Sequence, residues 1–196
     1  MLMVGTDEAV VEADLVAGLL ICPPCRGVLG PWGHGRRRVL RRGGVDERGR
    51  PRRSRCRGCE RTHILLAECW LVRRRDDAET IGGAIAANAA GIGHRGIARG
   101  LGRWPDTVRA WLRAFRARAE AIRAHFTRWA YALDADLGPI AAAGGAVGDA
   151  VEAIAVAARA AVQRWGPASP WAVASRLSGW ALLANTSAPL SPLPGG

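Results

Sequence analysis

The hydrophobic and polar positions change their spacing along the chain, and each spacing predicts a different type of element. In the first third, short apolar stretches are separated by turns such as Gly43-Gly44, which is the pattern of short strands. From residue 78 onward, apolar residues recur every three or four positions, which is the pattern of amphipathic helices. The chain is therefore predicted to form strands over 15–21, 37–41 and 62–66 and a first helix over 78–90, which Gly91 stops.

Residues 95–112 carry the spacing of a helix-turn-helix. Ala98 is small where two helices would cross, and Gly102, four residues later, can adopt the positive φ that ends a first helix. Pro105 suits the first turn of the second helix, where its missing N–H costs nothing. Together with the helix over 78–90, this segment predicts a three-helix unit. Its shared core would comprise Ile97, Leu101, Val108, Trp111 and Leu112.

A heptad seam continues the second helix of this motif. Its apolar members recur in steps of four and three, and neither glycine nor proline interrupts residues 106–137, so we expect one helix to extend to Leu137. One interpretation is a core that packs against a helix over 147–165, and the other is a homodimer through the seam of residues 108–133. The seam consists of Val108, Leu112, Phe115, Ala119, Ile122, Phe126, Trp129 and Leu133, and the facing helix offers Val147, Val151, Ile154, Ala158 and Trp165.

Four of the five cysteines form two C-x2-C pairs, which is the spacing of a metal site. A tight turn lets both thiolates of a pair face one ion, and two such turns complete the tetrahedron that structural zinc prefers. Gly27 and Gly58 are expected to give these turns their backbone freedom. A redox role for Cys-Pro-Pro-Cys and a set of metal-free thiols are the alternatives, and His63 is an alternative ligand. The predicted zinc ligands are Cys22, Cys25, Cys56 and Cys59, and Cys69 is expected to be a buried apolar residue.

The basic residues are all arginine, and they are concentrated in two blocks. The 28 arginines outnumber 17 acidic residues and give a net charge of +11. Residues 26–75 hold sixteen arginines against four acids, and residues 95–128 hold nine against two, whereas the last third is nearly neutral. This excess predicts a polyanionic partner, and we expect double-stranded DNA. A solvated arginine face that reflects only the codon bias of a genome is the alternative.

The helix-turn-helix and its charges together predict the DNA contacts. Arg109, Arg113 and Arg116 recur on the face opposite Trp111 and Phe115, so they would line a recognition helix in a major groove. The preceding helix, the turn and the arginines of the first block are expected to contact phosphates. The other predicted DNA-binding residues are Arg37, Arg41, Arg53, Arg95, Arg99, Arg103, Trp104 and Asp106.

The predicted fold class is mainly α: a small N-terminal β zinc ribbon, a three-helix helix-turn-helix unit and a C-terminal helical region. We expect a flexible proline-rich tail at the end. No stretch has the length of a membrane span, and four acids precede Leu15–Ile21 where a signal peptide requires positive charge. A cytoplasmic, nucleoid-associated protein is therefore expected. The predicted boundaries are 15–72 for the ribbon, 78–135 for the helix-turn-helix with its extended recognition helix, 138–186 for the C-terminal helices and 187–196 for the tail.

The order of these motifs resembles a family of actinobacterial proteins that pair a zinc ribbon with a transposase-like helix-turn-helix. Members of this family tend to be associated with mobile elements. The resemblance implies DNA recognition and, by analogy, a part in transposition or its control, with a transposase as a partner. Glu60 and Trp104 depart from the family's commoner glycine and proline. The resemblance extends over most of residues 20–186, and the segments that carry it are 22–25, 56–66 and 93–112.

The sequence does not predict an enzyme. A transposase needs three carboxylates on a mixed sheet to hold two metal ions, whereas Asp134, Asp136, Asp149 and Glu152 lie in a helical, alanine-rich context. The chain is expected to be an accessory or regulator of a mobile element, with neither a membrane nor a small-molecule substrate as partner. A general transcription regulator is one alternative. An RNA- or ribosome-binding zinc-ribbon protein is another, for which Trp32 is the one aromatic residue near the ribbon arginines.

Overall fold

The computed structural model describes residues 1–184 and 189–190. This part of the chain contains six strands and seven helices, so the prediction of a mainly α fold is wrong and the protein is of mixed α and β class. Its contacts define two units: unit 1 comprises residues 1–41 and 45–70, and unit 2 comprises residues 42–44 and the described residues from 71 onward. Of the predicted tail over 187–196, all but Pro189 and Leu190 lies outside the described residues.

The strands form two sheets. One is four-stranded with the order β1-β6-β5-β2, in which β1 runs parallel to β6 and the other neighbours are antiparallel. The other sheet is the hairpin of β3 and β4, and Gly43 and Gly44 form its turn with positive φ. The strands outnumber the prediction because arginine-rich segments form several of them without apolar alternation. The strands are β1 (Leu2–Val4), β2 (Leu29–His34), β3 (Arg38–Arg42), β4 (Val45–Gly49), β5 (Arg52–Cys56) and β6 (Thr62–Ala67).

A helix, α1 (Glu8–Val16), occupies part of the segment that the sequence predicts as a strand over 15–21. The carboxylate of Asp7 caps it by accepting hydrogen bonds from the backbone N–H groups of Ala9 and Val10 at 2.9 and 3.2 Å. Val11 and Leu15 lie four residues apart and are both buried. The strand prediction is wrong because this helical spacing begins before the apolar stretch.

Unit 2 consists of helices, and the sequence predicts the first three of them. The first helix ends before Gly91, which has a φ of +93°, and Gly102 adopts a φ of +62° at the end of the next one. Pro105 lies in the first turn of the helix that follows. These three predictions are confirmed. The helices are α2 (Ala78–Ala89), α3 (His94–Leu101), α4 (Pro105–Arg116), α5 (Ala119–Leu133), α6 (Ala146–Trp165) and α7 (Pro170–Leu177).

The expected long helix from residue 106 to 137 is instead two helices, α4 and α5. The backbone leaves the helical conformation at Arg118, with φ −118° and ψ 6°, although no glycine or proline lies there. Helix propensity is a weak constraint that tertiary packing overrides, and here the change of direction lets both helices bury their apolar faces. The first seven seam residues are buried and Leu133 is half-buried, all against other parts of the same unit.

The helices of unit 2 share one hydrophobic core. α5 packs along α6, whose alanines permit a close approach, and Ile154 and Ala158 are buried there as expected. Trp165, which the sequence places on the same face, is 53% exposed because it is the last residue of α6. α7 packs against α2, so the C-terminal helices complete the core of the three-helix unit. None of the described helices combines the length and apolar character that crossing a bilayer requires.

Candidate metal centre and basic helical face

Four thiols meet in unit 1, as the two C-x2-C pairs predict. The Sγ atoms of Cys22, Cys25, Cys56 and Cys59 all lie within 4.8 Å of one another, and these residues could hold a metal ion. Two of the separations connect the pairs: Cys22 Sγ lies 3.7 Å from Cys59 Sγ, and Cys25 Sγ lies 3.4 Å from Cys56 Sγ. Each pair thus contributes one sulfur to each cross-contact, which is how two turns surround a single ion.

The two turns that carry the thiols have the same backbone conformation. In each turn the residue directly after the second cysteine is left-handed: φ is +61° at Arg26 and +58° at Glu60. Its N–H donates to the carbonyl of the first cysteine of the pair, at 2.8 Å in the first turn and 3.1 Å in the second. The left-handed conformation in these two turns is therefore adopted by an arginine and a glutamate, and not by Gly27 or Gly58.

Gly27 matters because the site leaves little room for a side chain there, and not because of a positive φ. A Cβ at this position would lie 3.0 Å from Cys56 Sγ and 3.4 Å from Cys25 Sγ, so any side chain would press on the thiols. A Cβ at Gly58 would keep an ordinary distance of 3.8 Å from Cys56 Sγ. The expectation that both glycines supply backbone freedom is wrong, and Gly27 is the one that the packing of the site requires.

The site gives its thiols different electrostatic environments. The backbone N–H groups of Cys59 and Gly58 each point at Cys56 Sγ from 3.4 Å, and they lower the pKa of the Cys56 thiol to about 6. Burial raises the pKa of the Cys22 thiol to about 12. His63, buried on β6, places Nε2 3.4 Å from Cys22 Sγ. An imidazole N–H at that distance can donate to a Cys22 thiolate, so His63 supports the cluster from outside it.

The strained position of Glu60 gives a test of the second turn. We expect Glu60→Gly to bind a metal ion more tightly than Glu60→Ala by about fivefold, because the left-handed conformation costs a residue with a Cβ about 1 kcal/mol. Both variants lose the ion pair between Glu60 and Arg55, whose atoms are 3.1 Å apart, so their ratio isolates the backbone effect. Competition with a chromophoric chelator measures the two affinities. Equal affinities would show that the turn does not hold this φ in solution.

Cys69 lies outside the cluster. It follows β6 and is half-buried, which differs from the buried apolar residue that the sequence predicts. A substitution of Cys69 can therefore serve as a control for substitutions of the four clustered cysteines.

The second candidate site is a basic groove in unit 2. Arg109, Arg113 and Arg116 are exposed on α4, whereas Trp111 and Phe115 on its other face are buried, as predicted. The three arginines line an open groove whose other walls come from the end of α2 and the start of α3. The lining residues are Asn88, Gly93, His94, Arg109, Leu112, Arg113 and Arg116. Asn88 and His94 are not among the residues predicted from the sequence. The position of His94 at the start of α3, directly after Gly93, is the signal that could have indicated His94.

Several of the residues predicted to bind DNA are not among those that line this groove. Arg103 is largely buried, and its Nε donates to Asp76 Oδ1 at 2.6 Å, so it fixes the turn before α4 from within. Asp106 and Arg109 form an exposed pair at 2.9 Å. Trp104 precedes α4 and is 82% exposed. The rest of the predicted set lies as follows: Arg95 and Arg99 are exposed on α3, Arg37 is exposed before β3, Arg41 pairs with Asp46 at 3.4 Å, and Arg53 lies on β5.

Three of the acidic residues of the C-terminal region have carboxylates with local partners. Asp149 Oδ1 accepts from the N–H of Ala143 at 2.6 Å before α6, and Glu152 pairs with Arg159 at 3.1 Å. Asp134 Oδ1 accepts from the N–H of Asp136. Across the described ranges, the cysteine cluster is the one group of three or more metal-ligating side chains that come together.

Comparison with known proteins gives one match. The profile of a family described as Domain of unknown function (DUF6431) matches residues 22–104, which is less than half of the chain. The matched region contains both C-x2-C pairs and ends at Trp104, directly before α4. No curated protein and no solved structure matches the chain. The resemblance to an actinobacterial mobile-element family remains a prediction.

Proposed function

We propose that this chain is a zinc-stabilised, sequence-specific DNA-binding protein in which α4 is the recognition helix. The observation that carries the proposal is the exposed face of α4, where three arginines line one groove while the opposite face is buried. A helix anchored on one side and cationic on the other has the form that enters a major groove.

Zinc is the metal that the thiol cluster fits best. A tetrahedral ion with Zn–S bonds of about 2.3 Å places its ligand sulfurs about 3.8 Å apart. The two cross-contacts of 3.7 and 3.4 Å are close to this edge. Four thiolates favour zinc or iron over harder ions, and zinc is redox-inert. Cys22, Cys25, Cys56 and Cys59 would hold the ion, and its part would be structural.

The start of α3 provides a position for a phosphate beside the recognition helix. Gly93 caps α3 without a side-chain hydrogen bond, so the first N–H groups of the helix have no capping acceptor. Gly93 and His94 form one wall of the groove that the α4 arginines line. A helix N-terminus attracts anions, and Arg95 and Arg99 add charge along the same helix. The duplex backbone would pass here while α4 reaches the bases.

Replacement of Arg113 tests base recognition. Arg113→Ala should weaken binding to the cognate duplex by about 1 to 3 kcal/mol and change binding to random DNA little, because a bidentate contact to guanine distinguishes bases. The cognate duplex would first be selected from genomic fragments, and fluorescence anisotropy would then give both dissociation constants. Arg128→Ala, which removes an exposed arginine from α5, is the matched control and should leave both constants unchanged.

Two results would contradict the proposed recognition helix. Equal losses on cognate and random DNA for Arg113→Ala would make the face a non-specific clamp. An equal loss for Arg128→Ala would mean that net charge alone, and not the α4 face, determines affinity.

The biological use that we favour is that of a non-catalytic accessory or regulator of a mobile element. The order of the motifs supports it, as does the local pairing of Asp149 and Glu152, which leaves them apart from any cluster of carboxylates in the described chain. A general transcription regulator would use the same chemistry. The selected genomic fragments distinguish the two, because transposon ends support the first and promoters support the second.

A further inference from the structure

Arginines from the strand β5 lie on one face of the four-stranded sheet, and part of this face is exposed. Arg53 and Arg55 are partly exposed, whereas Ser54 and Cys56, which follow each of them, are buried, as expected from the alternation of side chains along a strand. On β6, Ile64 is the partner of Arg53 and Thr62 is the partner of Arg55, and Ile64 is 41% exposed.

A bulge in β2 places a tryptophan beside these arginines. Pro31 pairs with Ser54 and His34 pairs with Arg52, so Trp32 and Gly33 together lie opposite the single residue Arg53. Gly33 has a φ of +77°, a left-handed conformation that glycine adopts at no steric cost. The result is an aromatic ring on the basic face of the sheet.

The Trp32 ring is held on one side and open on the other. The guanidinium carbon of Arg55 lies 4.8 Å from the ring centroid, and Glu60 fixes Arg55 through an ion pair at 3.1 Å. Even with this cover, Trp32 is 47% exposed. A flat, apolar surface next to fixed positive charge is suited to stacking a planar ring.

Two further cations, Arg53 and Arg57, alternate with buried residues along the same segment as Arg55. Arg57 lies over Gly30, with its Nε 3.4 Å from where a Cβ on that glycine would be. Neither Arg53 nor Arg57 forms an ion pair with a carboxylate of the described chain, so both charges can serve a partner. This face therefore combines the exposed ring of Trp32, Arg55 stacked on that ring, and two arginines without an ion pair, Arg53 and Arg57.

We infer that this sheet face binds an unpaired nucleic-acid strand, with a base stacked on Trp32 and the flanking phosphates held by Arg53 and Arg57. Duplex DNA does not offer the face of a base, whereas a single strand does. The site is separate from the α4 groove and goes beyond the duplex binding proposed for that groove. DNA and RNA strands share the chemistry of an unpaired base between phosphates, and the test distinguishes them.

The test measures binding of end-labelled thymidine and uridine oligomers of about twelve nucleotides by fluorescence anisotropy, within the site sizes of single-strand binders. Trp32→Ala should weaken binding about tenfold, since stacking of one base contributes this much, and Trp32→Phe should restore most of the affinity. The double variant Arg53→Ala, Arg57→Ala should lower the salt slope by about 1.4, the sum for two phosphate contacts on a single strand. The oligomer that binds more tightly identifies the kind of strand.

Trp165→Ala is the matched control, because it removes a tryptophan of similar exposure from the end of α6. It should change nothing. The inference is overturned if Trp32→Ala binds both oligomers like the wild type with its metal content unchanged, or if Trp165→Ala loses as much. An equal loss of duplex binding in Trp32→Ala would also overturn it. Failure of Arg113→Ala to affect duplex binding concerns only the α4 proposal, so the two failures are distinguishable.

Discussion

Cys56→Ser should release the metal ion and unfold unit 1. Cys56 contributes a thiolate to the cluster and receives two backbone N–H groups on its sulfur. Binding of a structural zinc supplies on the order of 10 kcal/mol, and loss of a ligand removes much of it. The apolar core cannot replace this, since it is small. Its buried members are Val11, Leu15, Cys22, Leu29, Cys56 and Leu65.

Metal analysis and amide hydrogen exchange would measure this effect together. The wild type should carry one zinc ion per chain, and Cys56→Ser should carry none and lose exchange protection across β2, β5 and β6. Cys69→Ser is the matched control, because Cys69 lies outside the cluster, and it should keep both the zinc and the protection. A wild-type chain that stays protected in a strong chelator would refute the structural role of the metal.

Among the described glycines of unit 2, Gly82 should be the one at which an added methyl group destabilises the fold most, so Gly82→Ala should be strongly destabilising. A Cβ at Gly82 would lie 2.0 Å from Cδ2 and 2.2 Å from Cγ of the Trp171 ring, so the indole of α7 rests directly on the backbone of α2. These atoms belong to the base of the indole, so they can move away only if the buried Trp171 changes its χ1 rotamer or the two helices separate. Overpacking of this severity should lower the free energy of unfolding by about 3 kcal/mol.

The next residue of α2 provides the control. Gly83 is exposed, and a Cβ there would have no atom within 4 Å, so Gly83→Ala should raise the free energy of unfolding by about 0.5 to 1 kcal/mol through the usual preference of helices for alanine. Urea titration followed by helical circular dichroism compares the two variants. If both variants stabilised the protein, α7 would not pack on α2 in solution.

Local signals in the sequence predicted the parts of the fold that depend on few residues. Gly102 and Pro105 mark the end of α3 and the start of α4, because one needs a positive φ and the other lacks an N–H. The break at Arg118 and the contact between Gly82 and Trp171 depend on residues far apart in the chain, so no local pattern carries them. The mainly α prediction failed for a related reason: charged strands such as β4 are held by their pairing and show no apolar periodicity.

The predictions of the candidate sites also succeeded where the local sequence determines the geometry and failed where contacts between distant residues do. Spacing alone identified the four cysteines, since a C-x2-C turn determines where its own sulfurs point. Spacing could not show that Arg103 reaches Asp76, 27 residues earlier, and is used inside the fold. Likewise, the bulge that places Trp32 beside Arg55 depends on the register between β2 and β5, which neither strand contains by itself.

The hydrogen bond from Arg74 Nε to the carbonyl of Leu183, at 3.2 Å, connects residues 109 positions apart. This separation determines the order in which the two units can fold during synthesis on the ribosome. Unit 1 is complete at Trp70, so it can take up its ion while translation continues. Unit 2 cannot close until Leu183 has left the exit tunnel, and until then the nascent chain exposes the apolar faces of α4 and α5. The nascent chain should therefore need chaperones mainly during the second half of translation.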